Sequence, residues 1–169
     1  MSDETDVPAP LPSGRFEGRE AFRHLVRDAL ACAAREGWPE LVLSDVNFHD
    51  WPLGERAVCE SLQQWSRGGR RCTLLAIDYS EVLRLHARFV HWRRRWDHII
   101  VCRQAGSAAP QELPSALWSP AWALQRLDPA RCIGVTGREP ERRVLLRAEL
   151  GEWLENKSTP GFPANVLGL

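Results

Sequence analysis

The sequence predicts an α/β domain built on a mostly parallel sheet with helices on both faces. Three short apolar segments, at positions 40–46, 72–78 and 98–102, have the length and composition of buried strands. Segments with the apolar spacing of amphipathic helices lie between them, and the connections are short. This alternation of strand and helix is typical of parallel strands joined by right-handed crossovers.

Length and composition predict the domain organisation. A chain of 169 residues suffices for one domain with a substantial core. Positions 1–15 hold three acids and then three prolines, which predicts a disordered lead-in before a single domain at 16–156. The remaining segment, 157–169, is too apolar for a solvated end, so we expect it to dock on the domain or on a partner.

The first helix is predicted to begin at Arg19 and to end at Gly37, a residue that favours a left-handed turn. The second helix ends at the pair Gly68-Gly69. Positions 118–128 fit either a strand or a helix, and that choice stays open. A last strand at 131–135 and a last helix beginning at Pro140 complete the chain.

The segment from Ser80 to Trp96 is predicted to form one helix with two contrasting stripes. Its apolar stripe consists of Val82, Leu85, Phe89, Trp92 and Trp96, and its basic flank consists of Arg84, Arg88, His91 and Arg95. Arginine presents a planar fork of donors that matches phosphate oxygens. We therefore predict an anion site on this flank for a phosphate-containing ligand. The alternative is that these arginines pair with nearby acids and bind nothing.

A second candidate site contains carboxylates. Asp45 and Asp78 each stand at the end of a predicted strand, and His49 and Asp50 lie in the loop after Asp45. Because parallel sheets hold ligands outside the carboxyl ends of their strands, these groups could bind a metal or act as acid and base. The alternative is that the aspartates cap the helices that follow. We prefer the alternative, because no nucleophile accompanies the acids.

Several classes of protein are disfavoured by composition. The net charge is zero, which argues against a binder driven by bulk charge. None of the five cysteines forms a C-x-x-C pair, so we predict no metal and no cofactor. Lys157 is the only lysine, and no phosphate-binding glycine loop precedes it. The sequence shows no secretory signal and no membrane span, so we expect a cytoplasmic protein.

The segments LVLSDVNFHDWPL, LQQWSRGGRRCTLLAID and HIIVCR resemble one half of the phospholipase D-like superfamily. In that family a helix that ends in a basic glycine turn leads into a strand, as SRGGRRCTLLAID does here. The resemblance covers roughly positions 16–154. The block RLHARFVHWRRRWDH and the ending GFPANVLGL are similar to those of small bacterial proteins related to this fold.

The catalytic motif of that superfamily is absent. Its chemistry depends on His-x-Lys followed by four residues and an aspartate, with the histidine forming a phospho-enzyme. His86-x-Arg88 has Arg93 in the aspartate position, and His91-x-Arg93 has His98 there. The resemblance therefore implies a degenerate member without phosphodiesterase activity.

Together these observations predict a non-catalytic binding or regulatory domain that holds a phosphate-containing ligand on a basic helix. One alternative is an enzyme that uses the acidic site at the strand ends. A second alternative is a structural interaction module, for instance a homodimer, with Trp51, Trp118 and the C-terminal tail as its interface.

Overall fold

The computed structural model describes residues 8–162. In chain order its elements are β1 (Gly14–Glu17), α1 (Arg19–Glu36), β2 (Glu40–Ser44), α2 (Arg56–Trp65), β3 (Arg71–Ala76), α3 (Ser80–Leu85), α4 (Ala87–Arg93), β4 (Ile100–Gln104), β5 (Ser115–Trp118), β6 (Ala123–Asp128), β7 (Ile133–Gly137), α5 (Pro140–Asn156) and β8 (Thr159–Pro160). The eight strands of this described region form one sheet in the order β1-β7-β6-β5-β2-β3-β4-β8.

The sheet is mixed and mostly antiparallel, so the predicted fold class, a mostly parallel sheet with helices on both faces, is wrong in its strand directions. Only the β2–β3 and β3–β4 pairings are parallel, whereas the other five pairings in the described chain are antiparallel. The cause lies in the connections of the second half. β5, β6 and β7 follow one another through turns of a few residues, and a parallel crossover needs a dozen residues or more.

The turn between β5 and β6 resolves the choice left open for positions 118–128, where the chain forms a strand. Ser119 Oγ accepts hydrogen bonds from the amides of Ala121 and Trp122, at 3.1 and 2.9 Å, and donates to the Trp122 carbonyl at 2.7 Å. This side chain closes the turn and satisfies buried backbone groups.

The two faces of the sheet carry unequal layers. Helices α1, α2, α3 and α4 pack with the larger core on one face, where Leu41, Leu43, Leu74, Leu117 and Leu124 point. Helix α5 covers the other face through Leu146, Leu150 and Trp153, which meet Val42, Ala116 and Leu75. Neighbouring residues of a strand thus belong alternately to the two clusters. This is expected of a strand that is buried on both sides, because successive side chains point to opposite faces of the sheet.

The predicted single helix from Ser80 to Trp96 is broken at His86. The backbone of His86 leaves the helical region, with φ −120° and ψ 48°, and α4 begins at the next residue. The imidazole of His86 is buried and its Nε2 donates to the carbonyl of Phe48 at 2.8 Å. Because a buried polar ring needs a partner, this bond ties the break to the loop after β2.

Beyond the break, the apolar stripe lies inward as predicted. Trp92 is buried and Trp96 is partly buried. Both indole nitrogens donate to Gln63 Oε1 of α2 at 2.9 Å, so one amide oxygen fixes α4 and the following turn against α2. Gly37 adopts the left-handed conformation that was predicted to end α1, with φ 70°.

The predicted domain boundaries at 16 and 156 stay predictions, and parts of both predicted ends, 1–7 and 163–169, lie outside the described residues. Before β1, Leu11 is buried and the Pro12 carbonyl accepts from Trp122 Nε1 at 2.9 Å. After α5, the short β8 pairs with β4, and Phe162 stacks on Tyr79 with ring centroids 4.8 Å apart.

Within residues 8–162, no helix combines the length and the apolar character needed to span a bilayer.

Candidate functional site

The carboxyl end of β2 places Asp45 in a closed hydrogen-bond network. Asp45 Oδ1 accepts from Arg126 Nη2 and from Ser115 Oγ, each at 2.7 Å. Its second oxygen accepts from the backbone amides of Phe48 at 2.8 Å and Asn47 at 3.2 Å. The carboxylate is only 4% exposed, so its acceptor positions are taken by the protein rather than left for a ligand.

Arg126 of β6 is the centre of this network and was not identified from the sequence. Its guanidinium donates to Asp45, to Ser115 Oγ at 2.8 Å and to Asp50 Oδ2 at 3.1 Å, and it lies over the Phe22 ring at 4.3 Å. Burial lowers the pKa of Arg126, but the charge of Asp45 and hydrogen bonds to the acids outweigh it and raise the pKa above its ordinary value. Arg126 therefore stays charged.

The acidic residues predicted as a site are only partly brought together. Asp45 and Asp50 share Arg126, and Asp50 Oδ1 lies 3.3 Å from Arg19 Nε without a well-aligned hydrogen bond. Asp78 instead accepts from the Ser80 hydroxyl at 2.6 Å, and that hydrogen bond lowers the pKa of Asp78.

His49 contacts a different acid, with its Nδ1 3.4 Å from Glu81 Oε2. Across residues 8–162, no three His, Cys, Asp or Glu side chains are grouped so as to hold a metal. The cluster around Arg126 thus joins α1, β2, β5 and β6, and offers no free pair of carboxylates for acid–base chemistry.

The residues of the predicted basic flank are exposed but do not form one stripe, because the break at His86 separates them. Arg84 lies on α3 and pairs with Glu81 at 2.6 Å. Arg88 and His91 lie on α4, and Arg95 follows its end. Arg88 Nη1 donates to the Gly54 carbonyl at 3.4 Å, whereas no described acid pairs with His91 or Arg95.

Further arginines near the end of α4 are also exposed. Arg67 and Arg71 flank the glycine turn before β3, and Arg94 follows α4. Arg71 is the first residue of β3, and Arg94 and Arg95 lie between α4 and β4, so these residues precede two neighbouring parallel strands. None of them forms an ion pair within the described chain. The sequence pattern RGGRR was the available signal.

The interface proposed for a structural module is not supported by its aromatic residues. Trp51 is 1% exposed and packs edge-on against Phe22 and Phe48. Trp118 is 8% exposed, and its Nε1 donates to the Arg143 carbonyl at 2.9 Å. Both rings pack into the cores of this domain, so neither is an exposed aromatic anchor for a partner.

A pocket of about 360 Å³ opens between the loop after β2 and the junction of α3 with α4. It is lined by Arg23, His49, Trp51, Pro52, Gly54, Glu55, Leu85, His86 and Arg88. Burial lowers the pKa of His86, although its hydrogen bond to Phe48 opposes that effect. His86 is therefore neutral at physiological pH, with its proton on Nε2.

The fold, with its three parallel strands extended by an antiparallel meander, is shared with solved structures. The chain superposes on the archaeal chromatin protein TrmBL2, described as showing a novel mode of DNA binding, with TM-score 0.66 and 13% identity. It also superposes on polyphosphate kinase from Porphyromonas gingivalis, with TM-score 0.54 and 12% identity. The third is phosphatidylserine synthase from Haemophilus influenzae, with TM-score 0.53 and 12% identity.

These similarities show the fold alone. The kinase and the synthase are both members of the phospholipase D-like superfamily, so the resemblance seen in the sequence is supported at the level of the fold. The matches cover 93%, 88% and 97% of this chain, but only 57%, 26% and 43% of the three proteins. No protein-family model and no curated protein matches the chain.

Proposed function

We propose that this domain binds a phosphate-containing ligand and does not hydrolyse it. The observation that carries the proposal is the group of exposed arginines on and around α4 that have no acidic partner in the described chain. A set of cations left unpaired on a chain of zero net charge is a local asymmetry that favours anionic ligands.

The proposed contacts are Arg84, Arg88, His91 and Arg95. Arg88, His91 and Arg95 are spaced three and four residues apart and extend over about 10 Å at the rise of a helix. Arg84 must leave Glu81, which lies 2.6 Å away, before it can bind a ligand. Arg88 and Arg95 are therefore the stronger contacts, with Arg67, Arg71 and Arg94 able to extend the surface toward the glycine turn.

The absence of turnover is proposed on separate grounds. The His-x-Lys motif is missing from the sequence. The aspartates nearest the carboxyl ends of the strands are held by Arg126 or by Ser80, so neither is a free general base.

Nucleic acid is the first ligand to test, because TrmBL2 shares this fold and is described as DNA-binding. The test measures binding of a fluorescent single-stranded oligonucleotide with 5′-hydroxyl ends at low salt. Replacing Arg84, Arg88 and Arg95 together by Ala should weaken binding by tenfold or more, since each removes about one charge-assisted phosphate contact.

The matched control replaces Arg15, Arg56 and Arg131 by Ala. These arginines are also exposed, but each pairs with an acid elsewhere on the surface. The control should bind like the unaltered protein. Absence of binding at low salt, or an equal loss in the control, would contradict the proposal.

A further inference from the structure

The pocket between the β2 loop and the α3–α4 junction contains two buried polar atoms that no described residue satisfies. His86 is 5% exposed and Trp51 is 1% exposed. His86 Nδ1 and Trp51 Nε1 are both without a hydrogen-bond partner in the described part of the chain. Such atoms are uncommon because each costs free energy unless something fills its hydrogen bond.

The two atoms have opposite hydrogen-bonding character. The Phe48 carbonyl can only accept, so His86 Nε2 carries the proton that binds it, and Nδ1 is left as an acceptor. The indole nitrogen of Trp51 can only donate. A ligand that satisfies both must therefore offer an acceptor and a donor within one small group.

Two features indicate an anionic group. Arg23 and Arg88 both line the pocket. Of the acids nearby, Glu55 is bound by Arg27 at 2.6 Å and Glu81 by Arg84 at 2.6 Å. Arg23 Nη1 lies 3.5 Å from Glu20 Oε1, whereas Arg88 pairs with no acid in the described chain and is available to an anion.

Gly54 packs directly against the imidazole of His86. A Cβ at position 54 would lie 2.8 Å from the Leu85 carbonyl oxygen and 3.2 Å from His86 Nδ1. Any larger residue would therefore stand against the acceptor atom.

We propose that this pocket binds a phosphate monoester or inorganic phosphate, with Trp51 Nε1 and Arg88 donating to its oxygens and His86 Nδ1 accepting from its P–OH group. A phosphomonoester has a second pKa of about 6 and keeps a proton on part of the population near neutral pH. A phosphodiester has no such proton, and neither has sulfate. The hydrogen-bond pattern of the pocket therefore selects a terminal phosphate over a diester.

The test is calorimetric titration of the full chain with inorganic phosphate and with sulfate at pH 6.5 and equal ionic strength. Phosphate should bind about tenfold or more tightly than sulfate. The P–OH group of phosphate can donate one hydrogen bond to His86 Nδ1, whereas sulfate would place an acceptor oxygen against that acceptor nitrogen. This comparison needs no variant and so does not depend on refolding. Equal affinities, or no phosphate binding, would overturn the proposal.

One variant places the ligand. Trp51→Phe keeps a ring but removes the unpartnered donor, so it should lower phosphate affinity by about tenfold. Trp122→Phe is the matched control, because Trp122 is equally buried but its Nε1 is already bound to Pro12. Loss of phosphate affinity in the control as large as in Trp51→Phe would contradict the site.

The inference goes beyond the proposed function: the two share the phosphate chemistry of the ligand and one residue, Arg88, but place the ligand at different sites. Binding measurements on the unaltered protein distinguish a failure of the arginine surface from a failure of the pocket. If the arginine surface is wrong, 5′-hydroxyl oligonucleotides do not bind while inorganic phosphate does. If the pocket is wrong, the oligonucleotides bind and phosphate shows no preference over sulfate.

Discussion

At the scale of single residues, Arg126 is the group whose loss should be most visible. It is 4% exposed and neutralises Asp45 inside the protein. Arg126→Ala should lower the free energy of unfolding by about 3–5 kcal/mol, because it leaves a buried carboxylate without its partner. Urea denaturation of the variant measures this effect.

Two companion variants show whether the charge or the packing matters. Arg126→Met together with Asp45→Asn removes both charges while keeping volume, and should be less destabilising than Arg126→Ala alone. Arg131→Ala removes an exposed arginine and should change stability by less than about 0.5 kcal/mol. Similar losses in Arg126→Ala and Arg131→Ala would mean that the buried ion pair is misassigned.

His86 predicts a pH dependence of stability. Burial holds the pKa of folded His86 below the ordinary value of 6.5, so the unfolded chain binds a proton more readily. The contribution of the neutral imidazole is fully present above about pH 6.5 and is lost as pH falls from there toward the folded pKa. Between pH 7.5 and pH 5.5, the urea midpoint should therefore fall more in the unaltered protein than in His86→Gln. An equal fall in both proteins would contradict this role of His86.

The residues of the acidic site show what the sequence could predict at this scale. The carboxylates after β2 and β3 were identifiable from their positions. Asp78 Oδ1 accepts from the amide of Ser80, the first residue of α3, although the N-cap position is Tyr79. The prediction that both aspartates cap the following helices is wrong for Asp45, which bonds loop amides far from the start of α2. The partner of Asp45 was not identifiable, because Arg126 lies 81 positions further along the chain. The sequence pattern of the segment ALQRLD does not distinguish a buried arginine from an exposed one.

At the scale of elements, α4 is held by the buried side of its apolar stripe. Trp92 is buried and its Nε1 binds Gln63. Trp92→Ala should lower the free energy of unfolding by about 3–5 kcal/mol, the usual cost of truncating a buried tryptophan. Arg94→Ala, only two residues away on the exposed side, should shift the thermal midpoint little. Small and equal shifts would contradict the packing of α4.

The elements also show where periodicity is informative and where it is not. The apolar spacing over positions 80–96 was right about Val82, Phe89 and Trp92, which are buried, but wrong about Leu85, which is exposed next to the break. It could not reveal the break, which depends on the bond from His86 to Phe48, 38 positions earlier. Strand β6 was ambiguous because it is short and its pairing is set by β5 and β7 rather than by its own sequence.

At the scale of the whole molecule, the two halves of the sheet differ in how their strands are connected. The strands β2, β3 and β4 alternate with helices and follow the predicted crossovers. The meander β5–β6–β7 has no helices between its strands, and it continues the sheet in the antiparallel sense beside β2. The proposed arginine surface extends to the amino edge of the parallel half, while the His86 pocket lies near the carboxyl edge.

The whole molecule is expected to lack phosphodiesterase activity. Purified protein should not release p-nitrophenol from bis-p-nitrophenyl phosphate above the rate of buffer. The reason is the missing nucleophilic histidine with its lysine, together with the occupied aspartates at the strand ends. Turnover that disappears in His86→Ala or His91→Ala would contradict this expectation.

The claim that the arginines around α4 bind phosphate is tested most directly by the salt dependence of oligonucleotide binding. For single strands, the slope of log K against log salt is roughly −0.7 per phosphate contact. Replacing Arg84, Arg88 and Arg95 by Ala should therefore make the slope shallower by about 2, at roughly 0.7 for each contact. The triple control at Arg15, Arg56 and Arg131 should leave it unchanged. A slope that the first variant does not alter would show that these arginines do not contact the phosphates.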